Sequence, residues 1–156
     1  EEGEAFAALR YQQGRAIAAQ AALAVGYMQE LCNLTLDYLK TRKQFGVPIG
    51  KFQVLQHRMV DMQTELEQAT SMAMLAACHA DAEDSAERTR VLTAAKYIVT
   101  RGARFVAEQA IQLHGGIGMT WEYNGAHYAK ALVMIGHEFG DEDTALKAYA
   151  KDLEVA

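Results

Sequence analysis

A single proline in 156 residues, set against runs whose apolar residues recur at alternating spacings of four and three, commits this chain to long helices. Between Glu4 and about Lys40, the residues Ile17, Ala21, Ala24, Met28, Leu31, Thr35 and Tyr38 keep that rhythm and so share one face of a first helix. TRKQFGVPIGKF follows, with two glycines and the proline, a composition that ends one helix and frames a structured loop. A second helix begins at Gln53 with a seam of Leu55, Met59, Met62, Leu66, Ala69, Ala73 and Ala76. The seam shrinks to alanine, which lets a partner helix come close, and its methionines read as adaptable core filler.

DAEDSAE, residues 81–87, is a charged turn in which Asp84 or Ser85 is placed to cap a third helix. That helix carries Val91, Ala95, Ile98, Gly102, Phe105, Gln109 and Gln112 at the same spacing, so its seam ends in two polar positions. Gly102 costs roughly 1 kcal/mol against alanine and points to tight packing. Beyond QLHGGIGMT, Trp121 to about Ile135 and Thr144 to about Leu153 read as two shorter helices, and no strand-like alternation competes. The expected fold class is all-α, one domain over residues 1–156 built as an antiparallel four- to five-helix up-and-down bundle.

Composition narrows the function by exclusion. Hydrophobic residues at 51% and charged residues at 22% describe a folded, soluble domain. The net charge of −5, without a Lys/Arg block, offers no footprint for nucleic acid. No apolar stretch reaches the roughly 18–20 residues of a membrane span. Cys32 and Cys78 lie far apart in apolar helical patterns with no CxxC, so buried free thiols in a reducing, cytoplasmic setting are expected. None of the five histidines completes the Glu-x-x-His pairs of a di-metal bundle, so no metal is expected. The chain opens on Glu1 without a signal-peptide core, the expectation for a piece of a longer product.

Two loops depart from this helical monotony. GGIG, residues 115–118, has the composition of a helix C-cap or a tight turn between helices, but one cap needs one glycine. Gly115, Gly116 and Gly118 together leave a surface free of side chains, where backbone N–H groups can meet a phosphate, a sugar or a flat ring. The stretch lacks GxGxxG spacing and a preceding strand, and no Gly-Lys-Ser/Thr follows, so neither a Rossmann nor a P-loop site is expected. In TRKQFG, residues 41–46, Arg42 offers a planar fork suited to phosphate and Phe45 a face for a ring; a surface Arg and a buried loop Phe is the plainer reading.

YLKTRKQFGVPIGKFQVLQHRMVDM (38–62), AAK (94–96) and AIQLHGGIGMTWEY (110–123), in this order and spacing and including the Phe52–Gln53 pair, resemble the acyl-CoA dehydrogenases in their C-terminal helical domain. The resemblance covers nearly the whole chain. It implies that the two loops bind the ADP half of an FAD belonging to a neighbouring subunit. On that carry-over Arg42 pairs with the pyrophosphate, Gln44 and Phe45 contact the cofactor beside it, and Gln112 with Gly115, Gly116 and Gly118 cradles the adenosine end or the pyrophosphate. It further implies an acyl-CoA substrate, a homo- or hetero-oligomer and an electron-accepting flavoprotein as partner. The family's helical N-terminal domain and β-domain have no counterpart in these residues, so the chain is expected to be inactive by itself.

The family's reaction needs a carboxylate that removes the α-proton of the thioester, held close and tuned by its pocket. The resemblance places that base in a turn after the helix that follows the glycine loop, where Phe139 stands here, with Glu138 one residue earlier, Gly140 matching the family's glycine and Asp141 replacing its threonine. Other members carry the base on the first helix of the domain, at a position held here by Ala16 beside Arg15. Three readings stay open: Glu138 serves as catalytic base after a local register change, a base comes from another segment, or the chain is a non-catalytic assembly subunit of a heteromeric enzyme. Glu138, Asp141, Glu142 and Asp143 also suit a helix N-terminus on charge alone. His57, His79 and His114 read as polar helix residues, and His127 and His137 as candidates for the acyl pocket.

Overall fold

The computed structural model describes residues 2–83 and 85–154. Its helices are α1 (Glu2–Thr41), α2 (Gln53–His79), α3 (Ser85–His114), α4 (Asn124–Ile135) and α5 (Glu142–Glu154). Their directions follow from which residues meet. Gly14 lies against Leu92, Gln20 bonds Lys96, Met28 touches Gly102 and Tyr38 stacks on His114, so α1 and α3 climb together. Arg58 bonds Gln109 while Glu65 pairs with Arg101, so α2 runs against α3. His114 meets Tyr123 and Lys96 bonds the Ile135 carbonyl, so α4 runs against α3 as well. These four form the up-and-down order. α5 departs from the alternation and runs in the direction of α4, because Glu142 acts on Arg104 while Leu146 and Tyr149 face Arg90 and Ile98.

The core sits between α1, α2, α3 and α4, where Met28, Leu31, Met62, Leu66, Val106 and Leu132 are fully buried with Ala24, Ala69, Ala103 and Ala107 between them. Alanine at the contacts is what lets the helix axes approach. Gly102 packs as its position predicts: a Cβ there would sit 3.3 Å from the Glu65 carboxylate and 3.5 Å from Met28.

Several expectations need correction. In α3 the buried line is Leu92, Ala95, Val99, Ala103, Val106, Ala110 and Leu113, whereas Val91, Ile98, Phe105 and Gln109 are half-buried and Gln112 is exposed. α3 packs on α1, α2, α4 and α5, so its apolar surface is too broad for one stripe, and the polarity of Gln112 interrupts no seam. α4 begins at Asn124, not Trp121, and α5 begins two residues before Thr144. A two-residue antiparallel ladder pairs β1 (Lys43–Gln44) with β2 (Val47–Pro48), too short to register as alternation. Cys32 is buried, which pushes its thiol up to about 11, but Cys78 falls on the outward face of α2 and is exposed. Ser85 opens α3, its carbonyl accepting from Thr89 Oγ1, and Asp84 lies outside the described residues. Among the described residues no helix is long and apolar enough to cross a membrane.

Candidate functional site

Because α1 and α3 are parallel, their C-terminal ends meet at one pole of the bundle, and both loops leave from there. Tyr38 stacks on His114 with ring centroids 4.4 Å apart, and its hydroxyl lies 3.4 Å from the His114 carbonyl. Tyr123, just before α4, also packs against the imidazole, its ring tilted by 38° with the centroid at 4.4 Å. His114 Nδ1 donates to the Ala110 carbonyl at 2.8 Å, which leaves Nε2 as an acceptor for the Tyr123 hydroxyl at 2.6 Å. Burial holds the His114 pKa below its ordinary value and, reinforced by Tyr38, pushes Tyr123 up to about 12. A neutral histidine in contact with two tyrosines thus ties the roots of both loops to the start of α4.

The first loop is a hairpin whose turn residues are Phe45 and Gly46, fixed by the pairings Lys43 with Pro48 and Gln44 with Val47. Their φ values, 54° and 79°, are both left-handed, as a two-residue type I′ turn requires. Glycine adopts that conformation freely, but a bulky L-residue such as Phe45 costs about 1–2 kcal/mol there. Burial does not repay that cost, because Phe45 is 89% exposed, its ring set edge-on to Phe52 with centroids 6.0 Å apart. The hairpin is anchored from below. The Arg42 carbonyl accepts from Ile49 N at 2.8 Å, and Gln56 Nε2 donates to the Gly50 carbonyl at 2.8 Å. A side chain at Gly50 would come within 2.9 Å of the Leu39 carbonyl oxygen. Arg42 is exposed, and its guanidinium bonds no other described residue. Gln44 is exposed too, its amide turned back to the Lys43 carbonyl at 2.8 Å.

In the second loop, a 3-10 turn over Gly115–Met119, the three glycines divide into three tasks. Gly115 ends α3 at φ 65°, the left-handed C-cap. Gly118 is buried, and a Cβ on it would lie 3.0 Å from the Ile111 carbonyl oxygen and 3.0 Å from His114 Cβ. Gly116 is exposed, with nothing within 4 Å of the place a Cβ would take and no positive φ. The fold explains the first two glycines and leaves Gly116 as a ledge of bare backbone. Gln112 is the exposed residue of the otherwise buried or half-buried last turn of α3, just before this ledge.

Glu138 belongs to a different place. It sits in the turn after α4, where its Oε2 accepts from Gln20 Nε2 at 2.6 Å. Gln20 Oε1 in turn accepts from Lys96 Nζ at 2.9 Å, and the same ammonium donates to the Ile135 carbonyl at 2.8 Å. Burial lowers the pKa of Lys96 while the Glu138 charge works against that shift. Gln20 lies eighteen residues before Tyr38 on α1, so Glu138 is roughly 27 Å below the loop pole at about 1.5 Å per residue. Asp141 caps α5: its Oδ1 accepts from Thr144 N at 2.8 Å, and hydrogen bonding to Thr144 holds its carboxyl below the usual range. On α1, Ala16 offers no carboxylate, and Arg15 beside it pairs with Asp81 at 3.3 Å. His127 Nε2 donates to the Trp121 carbonyl at 3.0 Å, and His137 is exposed in the Glu138 turn.

Arg42, Gln44, Phe45, Gln112, Gly115, Gly116 and Gly118 therefore share one pole and Glu138 does not. Sequence reasoning missed the tyrosine–histidine clamp and the Lys96–Gln20 pair. Tyr38, His114, Tyr123 and Lys96 all fall inside the three segments that carry the family resemblance, which is the signal that marks them.

Residues 3–153 match the family described as "Acyl-CoA dehydrogenase, C-terminal domain". The acyl-CoA dehydrogenase IpdE2 of Mycobacterium tuberculosis is 41% identical over 111 residues, 70% of this chain and 32% of that protein. The crystal structure of an acyl-CoA dehydrogenase from Geobacillus kaustophilus superimposes with a TM-score of 0.89 at 26% identity, covering 99% of this chain and 40% of that one. A glutaryl-CoA dehydrogenase from Mycobacterium smegmatis, in complex with FADH2, superimposes with a TM-score of 0.83 at 25% identity over 92% of this chain and 37% of its own. The chain thus spans about a third of the length of the curated relative it matches. A match running from Gly3 to Leu153, with the two loops at one pole of the same bundle, makes this chain a member of the acyl-CoA dehydrogenase family, corresponding to its C-terminal domain.

Proposed function

We propose that the loop pole binds the ADP half of an FAD held mainly by a neighbouring subunit, within an oligomeric acyl-CoA dehydrogenase. The observation that carries this reading is a coincidence at one pole. A guanidinium at Arg42 that bonds no other described residue, a strained and exposed ring at Phe45 and a bare backbone ledge at Gly116 lie together at that pole. The donor set fits the group: Arg42 matches a pyrophosphate in charge and fork geometry, Phe45 offers an apolar face, and Gly116 admits close backbone approach. When bound, FAD supplies the acceptor for the hydride that leaves the β-carbon of an acyl-CoA thioester.

Glu138 is the carboxylate this chain offers for the α-proton. Its separation of roughly 27 Å from the loop pole supports a reading in which the two places serve different copies of the cofactor, as sharing between subunits requires. The second reading, a flavin-binding but non-catalytic subunit, is favoured by Phe139 and Ala16 at the family's two base positions. Both readings are testable on the assembly that co-purifies with the tagged chain. Arg42→Ala and Gly116→Val are expected to remove most of its bound flavin with the oligomer intact; a wild-type assembly without a flavin absorption band overturns the proposal. Glu138→Gln is expected to cut turnover by about 10²–10⁴-fold if Glu138 is the base, and to leave it unchanged under the second reading.

A further inference from the structure

Lys96 is the most unusual charged group in the bundle: 5% exposed, on the central helix, and used by neither loop. It lies in the AAK segment, which the cofactor reading leaves without a task. Its ammonium has donors only, and two of them are spent on the Ile135 carbonyl at 2.8 Å and Gln20 Oε1 at 2.9 Å. That second bond decides the amide of Gln20. With its oxygen committed to Lys96, Gln20 must turn Nε2 outward, and Nε2, also donor only, finds Glu138 Oε2 at 2.6 Å. Gln20 is itself 6% exposed, so the relay runs through the interior and emerges at one carboxylate oxygen. The Ile135 bond meanwhile pins the last residue of α4, from which the Glu138 turn departs.

We propose that Lys96 and Gln20 are positioning residues that hold the Glu138 turn in place and keep the Glu138 carboxylate as a hydrogen-bond acceptor, oriented by an ammonium it does not touch. The proposal rests on the reading of Glu138 as the proton acceptor. One oxygen, Oε2, is fixed by Gln20, which leaves Oε1 to take a proton. Glu138 itself is exposed, and the relay reaches it from beneath: Lys96 and Thr100 line a small cavity of about 10 Å³ beside Gln20 and Ile135, where, among the described residues, Thr100 Oγ1 is buried without a hydrogen-bond partner. Of the groups around Glu138, Lys96 from α3 carries the charge that acts on it across the bundle; Gln20 from α1 is neutral, and His137 and Asp141 flank it on its own turn.

The test is the carbon-13 NMR signal of the Glu138 carboxylate in the chain at about pH 7, compared between wild type, Gln20→Leu and Lys96→Met. Gln20→Leu breaks the relay while sparing the bond that pins Ile135. Both variants are expected to move and narrow that signal as the carboxylate loses its fixed partner and gains mobility. Gln20→Glu, which keeps the bond to Lys96 but loses the outward donor, is expected to do the same. An unchanged signal in Gln20→Leu overturns the relay even if Lys96→Met fails to fold. In the flavin-containing assembly, Gln20→Leu is expected to lower kcat about tenfold with KM unchanged. If Glu138→Gln leaves turnover intact, the base reading fails while the carbon-13 signal still decides the relay.

Discussion

Phe45–Gly46 and Phe139–Gly140 are two turns with the same pair of residues and nearly the same backbone, φ 54° and 79° in the first, 56° and 100° in the second. Their surroundings differ. Around Phe139 the carboxylates are engaged: Glu138 is held by Gln20, Asp141 caps α5, and Lys96 pins the residue that ends α4. Around Phe45 the backbone is anchored, but the side chains that face outward, Arg42 and Phe45 itself, are left to solvent. Left-handed strain alone therefore marks no ligand site, since the short connection from α4 to α5, two helices that run in the same direction, produces it at Phe139. What separates the loop pole is strain together with unspent chemistry, carried on a rigid root.

That root offers the strongest way to break the contrast. His114→Ala removes a buried ring packed against two tyrosines and the acceptor of the Tyr123 hydroxyl. The expected cost is about 3 kcal/mol in urea unfolding, with flavin binding lost because both loops lose their common anchor. Retained flavin in a destabilised His114→Ala variant would show that the loops hold their geometry without the clamp.

The next test splits the glycines. Gly118→Val forces a side chain into the Ile111 carbonyl and the His114 Cβ, and is expected to cost about 2 kcal/mol by the same assay. Gly116→Val meets open space and is expected to change stability by less than about 0.5 kcal/mol while removing the flavin. Equal stability losses at the two positions would mean that Gly116 is a structural glycine and that the ledge has no ligand.

Much of the architecture was legible because the rhythm of α1 and α2 is simple. Ala21, Ala24, Met28, Leu31 and Thr35 are buried where the spacing puts them, and so are Met62, Leu66, Ala69, Ala73 and Ala76. On α3 Ala95 and Gly102 are buried as expected, but the other seam positions were misread by one residue because a helix wrapped by four others has apolar residues on most of its circumference, and periodicity cannot choose among adjacent stripes. The loop residues were legible as a pattern, yet their separate tasks were not. That Gly118 is sterically required and Gly116 is not depends on Ile111 and His114, contacts no local spacing encodes. Lys96 was missed because a helical lysine ordinarily faces water; only a carbonyl from α4 and an amide from α1 reveal why this one does not.

A smaller effect comes from pH. The folded pKa of His114 lies below the ordinary value, chiefly through burial, so the unfolded chain takes up the proton more readily. Its contribution is complete above about pH 6.5 and is lost as pH falls, by at most about 1.4 kcal/mol per unit. Protonation of Nε2 also breaks the acceptor role toward Tyr123, so Tyr123→Phe is expected to flatten the slope between about pH 5 and 7 in urea melts. A slope identical in wild type and Tyr123→Phe would place the sensitivity elsewhere in the chain.

The smallest effect sharpens the comparison most. Asparagine tolerates the left-handed conformation far better than phenylalanine, so Phe45→Asn relieves strain and gives up almost no burial, the ring being 89% exposed. It is expected to stabilise the chain by about 1 kcal/mol. Phe139→Asn relieves the same strain but gives up the buried half of a ring that is 47% exposed, so its net gain is expected to be near zero. Flavin content of the assembly then separates the two turns: Phe45→Asn should lower it while making the protein more stable, and Phe139→Asn should leave it alone. A residue whose replacement improves folding and impairs binding is kept for the ligand. If Phe45→Asn gains stability at no cost in flavin, the exposed ring has no ligand to meet and the two turns are equivalent.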